Sequence, residues 1–525
     1  MDYQEFNKCV EILRDRPKWF FQRDNLAQKI ECLDQFKVAG TPSNISFLVE
    51  FLKNDNETVR TKAAEAIIHL YQQLKSQNEL YESLKYVGIE KADINFYKPT
   101  FSPDIYLHLL SIASMNKSGY VREKAIKELA ASQNPNAIKF ILLRLGDWVI
   151  AVREAAQKAI RAFFSDSFID EFLKQLPLID WLLQVQRTDL ANIHTEIIEF
   201  VFSHELTTDF YKTLRCFDDK TRLIYFRNFL KAKAASTEVV DIIANDRNYL
   251  VRAELIKHIQ HLETARQRSL ISKFLNDRSA RVRVNALYQT KNFPSEYDSI
   301  IFEMTSDESA SVRELTRYLL KNKSFNFADI YRQRLPQNQK LVGSILGLSE
   351  VGTKGDLTTF EQHIQSPTSK IKLACLIAIH RIDSSISKKY SLKFLTHPIR
   401  RVRNKSVEIL SFTCDSEVLE KARAIYKQGD YEQKKTILKL FNQVGGWNIV
   451  GDLIIALTDS NENIQNLAWM FLQKWREKAT SLFTTPPQTE IKRANEIYRQ
   501  LDKTKTKLTY YREKLWSELP FYLRG

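Results

Sequence analysis

Glycine and proline are scarce in this chain, 13 of each in 525 residues. That excludes a turn-dense or linker-rich architecture and suits nearly continuous helix joined by short turns. Five cysteines (Cys9, Cys32, Cys216, Cys375, Cys414) lie far apart, with no CxxC pair and an odd total. They read as small buried apolar residues in a reducing compartment rather than as a disulfide framework. No stretch reaches the roughly 18 consecutive apolar residues that a membrane span requires. The N-terminal MDYQEFNKCVEILRDRPKWFF has no uninterrupted apolar core and no cleavage pattern of a signal peptide. The expectation is a soluble cytoplasmic protein that makes no membrane contact.

Catalytic signatures are missing as well. There is no GxxxxGK[ST] and no strand-linked GxGxxG, and Gly445, Gly446 and Gly451 lack the lysine and hydroxyl that a phosphate loop needs. GxSxG and HExxH are absent. His258 and His261 lie three apart without a third ligand in view, and read as a surface pair rather than a metal site. No catalytic, metal or cofactor site is expected.

What the chain does have is a period. A Val-Arg dipeptide recurs along it, with an aspartate six residues before the arginine in Asp147/Arg153, Asp246/Arg252, Asp277/Arg283 and Asp307/Arg313, and five before it in Asp55/Arg60. Arg122 and Arg153 are 31 apart, Arg252 and Arg283 are 31, Arg283 and Arg313 are 30, and Arg60 and Arg122 are 62, two pitches. Lys372, Arg403, Lys434 and Gln465 then follow one another at 31. A fixed period of this size marks a stacked-repeat architecture.

Each unit reads as two helical patterns split by a polar turn, as in Ala137 to Leu145, then Gly146-Asp147, then Val149 to Ile160. The apolar residues fall three and four apart, the helical period. Val152, Ala155, Ala156 and Ile160 make one face of the second helix, and Val121, Ala125, Ile126 and Leu129 make it one unit earlier. A single hairpin cannot bury such a stripe, so units must stack. The turn aspartate is placed to accept from free backbone N–H groups at the start of the second helix. The arginine fork is long enough to reach an acid of its own or the adjacent unit. An exposed pair contributes about 0 to 1 kcal/mol, so the ladder is expected to set register while the apolar stripe supplies most of the energy.

On these residues, namely the turn aspartate, Val-Arg, and a small-apolar second helix at about 30 residues, the chain resembles the HEAT-repeat family. The match is to its short, PBS-lyase-like variety and covers residues 49–480. Asn192, Arg222 and Lys340 mark weaker units near the expected phase, and most units lack the proline of the longer HEAT class. The resemblance implies an all-α, right-handed solenoid of about thirteen or fourteen hairpins. Residues 1–48 are expected to form capping helices, and 481–525 one long basic amphipathic helix that closes the open end. Ile491, Ala494, Tyr498, Leu501, Leu508, Tyr511 and Leu515 would form its apolar side. Residues 72–103 break the motif near 91 and read as either a degenerate repeat or an inserted loop.

The formal charge of +15 attracts polyanions at long range. In HEAT-like solenoids the second helices line the concave face. Their exposed positions here include Lys124, Lys127, Lys158, Arg161, Lys257, Arg317 and Lys405 against Glu123, Glu128, Glu154, Glu254, Glu314 and Glu408. That balance is too even for a groove that tracks a phosphate backbone. The excess sits in turns (Arg247, Arg278, Arg281, Arg400, Arg401) and in residues 491–525, where nine basic side chains, among them Lys503, Lys505 and Lys507, face four acidic ones. Trp19, Phe20 and Phe21 lie between Arg16 and Arg23. These arginines, lysines and aromatics are the candidate binding residues.

The leading reading is a non-enzymatic scaffold that binds a protein partner on its concave surface. The alternative is a nucleic-acid-binding solenoid that uses the basic turn rim and tail. Some relatives of the fold resemble bilin lyases, and others are DNA glycosylases whose residue types Trp148, Asp147 and Arg153 match. Because the ladder already claims Asp147 and Arg153, no glycosylase site is carried over.

Overall fold

The computed structural model describes residues 3–15, 25–203, 213–232, 236–479, 487–506 and 510–523. Every regular element among them is a helix. They form two compact units, Met1–Gln267 and Arg268–Gly525.

In both units the packing partner of a second helix is the second helix of the next repeat. In the first unit Leu26–Ala39 packs on Glu57–Tyr71, Lys91–Thr100 on Gly119–Ala131, Gly119–Ala131 on Ile150–Arg161, and Asp219–Ala232 on Tyr249–Lys257. In the second, Ala280–Gln289 packs on Ala310–Leu319, and Ser369–Ile382, Arg400–Phe412, Tyr431–Val444 and Glu462–Ala479 follow one on the next. This is an all-α stack of HEAT-like hairpins. The stripe is buried as expected at Val121, Ala125, Ile126 and Leu129, and at Val152, Ala156 and Ile160. Ala155 is only half-buried, and Ala159 takes its place. Small residues there let the helices approach closely, which is how a short hairpin buries enough surface to hold its neighbour.

The ladder arginines make up to two kinds of contact. One terminal nitrogen donates to the carbonyl six residues back in its own turn: Arg153 to Asp147 at 2.8 Å, Arg252 to Asp246 at 2.6 Å, Arg283 to Asp277 at 2.8 Å, Arg313 to Asp307 at 2.6 Å, and Arg403 to His397 at 2.9 Å. In three rungs the rest of the fork pairs with the turn acid of the next repeat, whereas Arg313 and Arg403 reach Glu350 and Glu432 in the helices beyond. Arg122 grips Asp147 with bonds of 2.8 and 2.7 Å, Arg222 grips Asp246 at 3.0 and 3.2 Å, and Arg283 grips Asp307 at 2.9 and 2.7 Å. That acid also accepts the backbone N–H two residues on, as Asp147 does from Val149 at 2.9 Å.

The Arg122–Asp147 rung is buried, not exposed, Arg122 keeping 7% of its surface and Asp147 4%, while Arg283–Asp307 is half-buried. The expectation of weak, solvated pairs is therefore corrected. The small second-helix residues bring the next turn down over the guanidinium, and a pair sealed in this way is costly to break.

The arginine phase also re-reads some turns. Asn54, not Asp55, sits six residues before Arg60 and receives its bond at 2.8 Å, which explains the short gap. Arg222, expected as a weak unit, is a full rung. Residues 72–103 are a degenerate repeat, with helices Gln77–Leu84 and Lys91–Thr100 tied in by Lys53 to Asp93 at 2.8 Å and by the Asn116 amide to the Val87 carbonyl at 2.8 Å.

Lys340 is not a rung. It precedes the helix Leu341–Val351 with φ 43 and donates to the Glu303 carbonyl at 3.0 Å. That helix lies so close to the preceding turn that a Cβ on Gly343 would stand 1.9 Å from the Ser306 carbonyl oxygen. The neighbour is backbone and cannot swing aside. Gly343→Ala is expected to destabilise the second unit by about 1–3 kcal/mol, read as a lowered midpoint in guanidinium unfolding. An unchanged midpoint would show that the approach is looser than this.

The tail departs from its expected form. It is two helices, Gln488–Gln500 and Tyr510–Tyr522, not one. The first stops where Leu501 turns to extended backbone and Asp502 caps a short turn by accepting from Thr504 at 3.0 Å. A local cap competes with helix continuation, a feature the apolar spacing does not register. Ile491 and Ala494 are buried, with Leu515, Trp516 and Leu519 from the second helix, while Tyr511 is exposed. The two helices pack on Val450–Ala456 and Glu462–Ala479 respectively. The expected boundary at 481 falls in 480–486, outside the described residues.

Candidate interaction surfaces

The exposed charges of the second helices neutralise one another. In the first unit Lys124 pairs with Glu128 at 2.8 Å, Lys127 with Glu123 at 2.5 Å, Arg161 with Glu196 at 2.7 Å, and Lys257 with Glu254 at 2.9 Å. In the second unit Lys405 pairs with Glu408 at 2.6 Å and Arg317 with Glu350 at 2.8 Å. Six of the seven basic residues counted on this face are thus matched with carboxylates. The near balance seen in the sequence is a pairing, one helical turn or one repeat away.

Arg247 and Arg278 occupy the residue after the turn acid, whose side chain points outward because the acid folds back on its own turn. Both are exposed, as are Arg281, Arg400 and Arg401. Arg247 lies in the first unit, paired with Asp219 at 3.3 Å, and the other four lie in the second. The same turn position is held by Lys117, Trp148, Glu308 and Pro398 in other repeats, and Glu308 is bonded to Lys370 at 2.6 Å. The outward position is therefore of mixed character within each unit. Lys503 and Lys505 are exposed, Lys505 lying 4.0 Å from Asp502. Lys507 and the cluster Trp19, Phe20, Phe21 lie outside the described residues.

Sequence reading passed over an apolar patch on the turn edge of the first unit. Trp148 is 74% exposed and Tyr120 76%, with Ile150 beside Trp148 in sequence and exposed too. Gly119 lets the turn carrying these residues close in: a Cβ there would meet Val149 at 2.9 Å. Arg187 lies 4.5 Å over the Trp148 ring, and Lys117 5.6 Å from the Tyr86 ring. The signal was present as an aromatic at the one turn position that must face solvent.

The residue types shared with DNA glycosylases do not assemble a site. The Asp147 carboxylate is taken by Arg122 and, at 3.2 Å, by Arg144. Burial alone would raise its pKa, but the bonds from Arg122 and from the Val149 N–H outweigh burial and hold it below the usual carboxylate range. Among the described residues no three His, Cys, Asp or Glu side chains converge at metal-binding distance. His258 is pushed below its ordinary pKa, chiefly by burial. None of the described helices is long and apolar enough to cross a membrane. Cys9, Cys32 and Cys375 are buried and Cys414 half-buried, as a structural role requires, whereas Cys216 is exposed.

No family model matches the sequence, and no curated protein matches it. Among solved structures the chain is similar to Kap121p, at 11% identity over 99% of this chain and 68% of that one, with a TM-score of 0.33. The karyopherin Kap121p bound to the SUMO protease Ulp1p gives 12%, 100%, 68% and 0.36. Kap95p, in a structure described with RanGDP, gives 12%, 100%, 67% and 0.29. Likenesses of this size bear on neither descent nor partner.

Proposed function

We propose that this chain is a non-catalytic, cytoplasmic repeat scaffold that binds a protein partner along the exposed face of its second helices, the face the family resemblance makes concave. The observation that supports this is the pairing of charge on that face. Lysines and arginines matched to carboxylates leave little net field for a phosphate backbone to follow, while within each unit the stacked helices offer a chemically varied surface. Exposed aromatic side chains such as Trp148 and Tyr120 supply the anchors that protein interfaces favour.

The test is affinity capture from source cells with lysine-directed cross-linking. The expected result is one stoichiometric protein whose cross-links fall on Lys124, Lys127, Lys158, Lys257 or Lys405. Recovery of the chain alone, together with oligonucleotide binding whose log affinity falls by several units per log unit of salt, would instead favour a nucleic-acid role for the exposed turn arginines and tail lysines.

A further inference from the structure

At the ends of two consecutive second helices, lysines pair with rings instead of carboxylates. In the second unit, Ala280–Gln289 carries Tyr288 near its end and the following short turn carries Lys291. Thirty residues on, Ala310–Leu319 carries Tyr318 and its following turn Lys321. These are equivalent positions of consecutive repeats, and the two helices that bear the tyrosines pack against each other.

The four side chains form one continuous exposed row. Lys291 lies 4.2 Å from the Tyr288 ring centroid and 5.3 Å from that of Tyr318, and Lys321 lies 4.7 Å from Tyr318. Tyr288 and Tyr318 are 57% and 54% exposed. No carboxylate among the described residues pairs with either lysine, whereas neighbouring Lys323 is bonded to Asp298 at 2.7 Å and Arg317 to Glu350 at 2.8 Å. Two tyrosines and two lysines are thus held in solvent by ring–cation contact alone, which leaves the outer side of each cation open.

We infer that Tyr288, Lys291, Tyr318 and Lys321 form a docking site for an extended acidic segment of the protein partner, an inference that rests on the scaffold reading above. The charge complementarity is specific in amount. A nucleic-acid strand carries an anion on every nucleotide and needs a run of cations, whereas this row offers two, one per repeat. A peptide meets it with two carboxylates.

Spacing fixes their separation. Packed helices stand about 8–10 Å apart, and a segment in polyproline II conformation advances about 3.1 Å per residue with three residues per turn, so acids three residues apart share one face at that separation, with an intervening side chain beside the tyrosine rings. A second copy of this chain fits poorly, because its net charge of +15 repels the same row.

The test uses the full chain and fluorescence anisotropy with three probes: a labelled twelve-residue Gly/Ser peptide containing Glu-Phe-Gly-Glu, the same peptide with its two glutamates adjacent, and a twelve-nucleotide oligothymidine. The spaced peptide should bind more tightly than the rearranged one. The double variant Lys291→Glu, Lys321→Glu should weaken it by about tenfold or more, since each reversal removes an attraction and adds a repulsion. Tyr288→Ala with Tyr318→Ala should weaken it several-fold. All four positions are exposed, so these variants should fold, and unchanged thermal unfolding checks it.

Equal binding of the two peptides, indifference to the variants, or preference for oligothymidine would each overturn the site. Undiminished capture of the partner by the lysine double variant would also overturn it, while leaving the scaffold reading intact. No partner on the unaltered chain would remove both.

Discussion

Asp147→Ala should destabilise the first unit by about 3–5 kcal/mol, because removing one member of a buried ion pair leaves the other without compensation. Arg122 is held by Asp147 through two bonds, and Arg144 reaches the same carboxylate at 3.2 Å. The substitution strands both guanidiniums under a turn that also loses its Val149 N–H bond. Hydrogen exchange is the suitable measurement, since a stack opens locally: protection should fall in Gly119–Ala131 and Ile150–Arg161 well before the second unit responds. Replacing Arg122 and Asp147 together with leucine should recover the part of the loss that comes from Arg122, as apolar pairs often do at buried ionic sites, while Arg144 and the Val149 N–H stay without their carboxylate partner. A single-variant cost below about 1 kcal/mol would mean that the rung behaves as an exposed pair.

The same rung should make the first unit sensitive to acid. The Asp147 carboxyl is held below its unfolded value of about 3.9. Its contribution is therefore complete above that value and is lost as pH falls through the lowered one. Unfolding on acidification from pH 5 to 2 should be steeper in the unaltered protein than in the double leucine variant.

Glu350→Ala should have a comparable effect on the second unit, again about 3–5 kcal/mol. Glu350 gathers three arginines. It pairs with Arg313, which keeps only 2% of its surface exposed, with Arg317 at 2.8 Å, and with Arg381 at 3.5 Å. Burial favours the neutral acid here, but Arg313 and Arg317 outweigh it and lower the pKa, so this contribution too is lost as pH falls. Glu350→Gln should cost less than Glu350→Ala, because an amide can still accept from Arg313. If guanidinium unfolding places both variants within about 0.5 kcal/mol of the unaltered protein, the node carries no weight.

The repeat and its helices were legible because period and amphipathic spacing are properties of neighbouring residues. The turn acid and the arginine could be paired on paper for the same reason. An acid of the adjacent repeat was within the expected reach of the fork, but the choice between it and the acid of the same repeat was not readable, because the observed partner lies 24 or 25 residues away. Where the phase slipped, Arg60 donates to the Asn54 carbonyl as well as to that of Asp55, and Lys340 donates to the Glu303 carbonyl instead of acting as a rung. The balance of charge on the second helices was readable as a number, but its cancellation into ion pairs was not, since that depends on rotamers and on the turn between helices. The row at Tyr288 and Tyr318 was not legible because a tyrosine in a helical pattern reads equally well as core, whereas Trp148, in a turn, was read only as a residue type shared with glycosylases.

Local chemistry along the chain dictated a stack of helical hairpins: small apolar residues at helical spacing, an acid in many of the turns, and an arginine six residues on. Burial was settled by assembly. Only when one repeat closes over the next does a solvated pair become a sealed one, and the cost of breaking it rises because water no longer competes for either charge. The tail illustrates the same division. Its apolar positions announced a helix that would cover the end of the stack, but the break at Leu501 and Asp502 follows from a cap and from the two separate surfaces, Val450–Ala456 and Glu462–Ala479, that the two halves pack on.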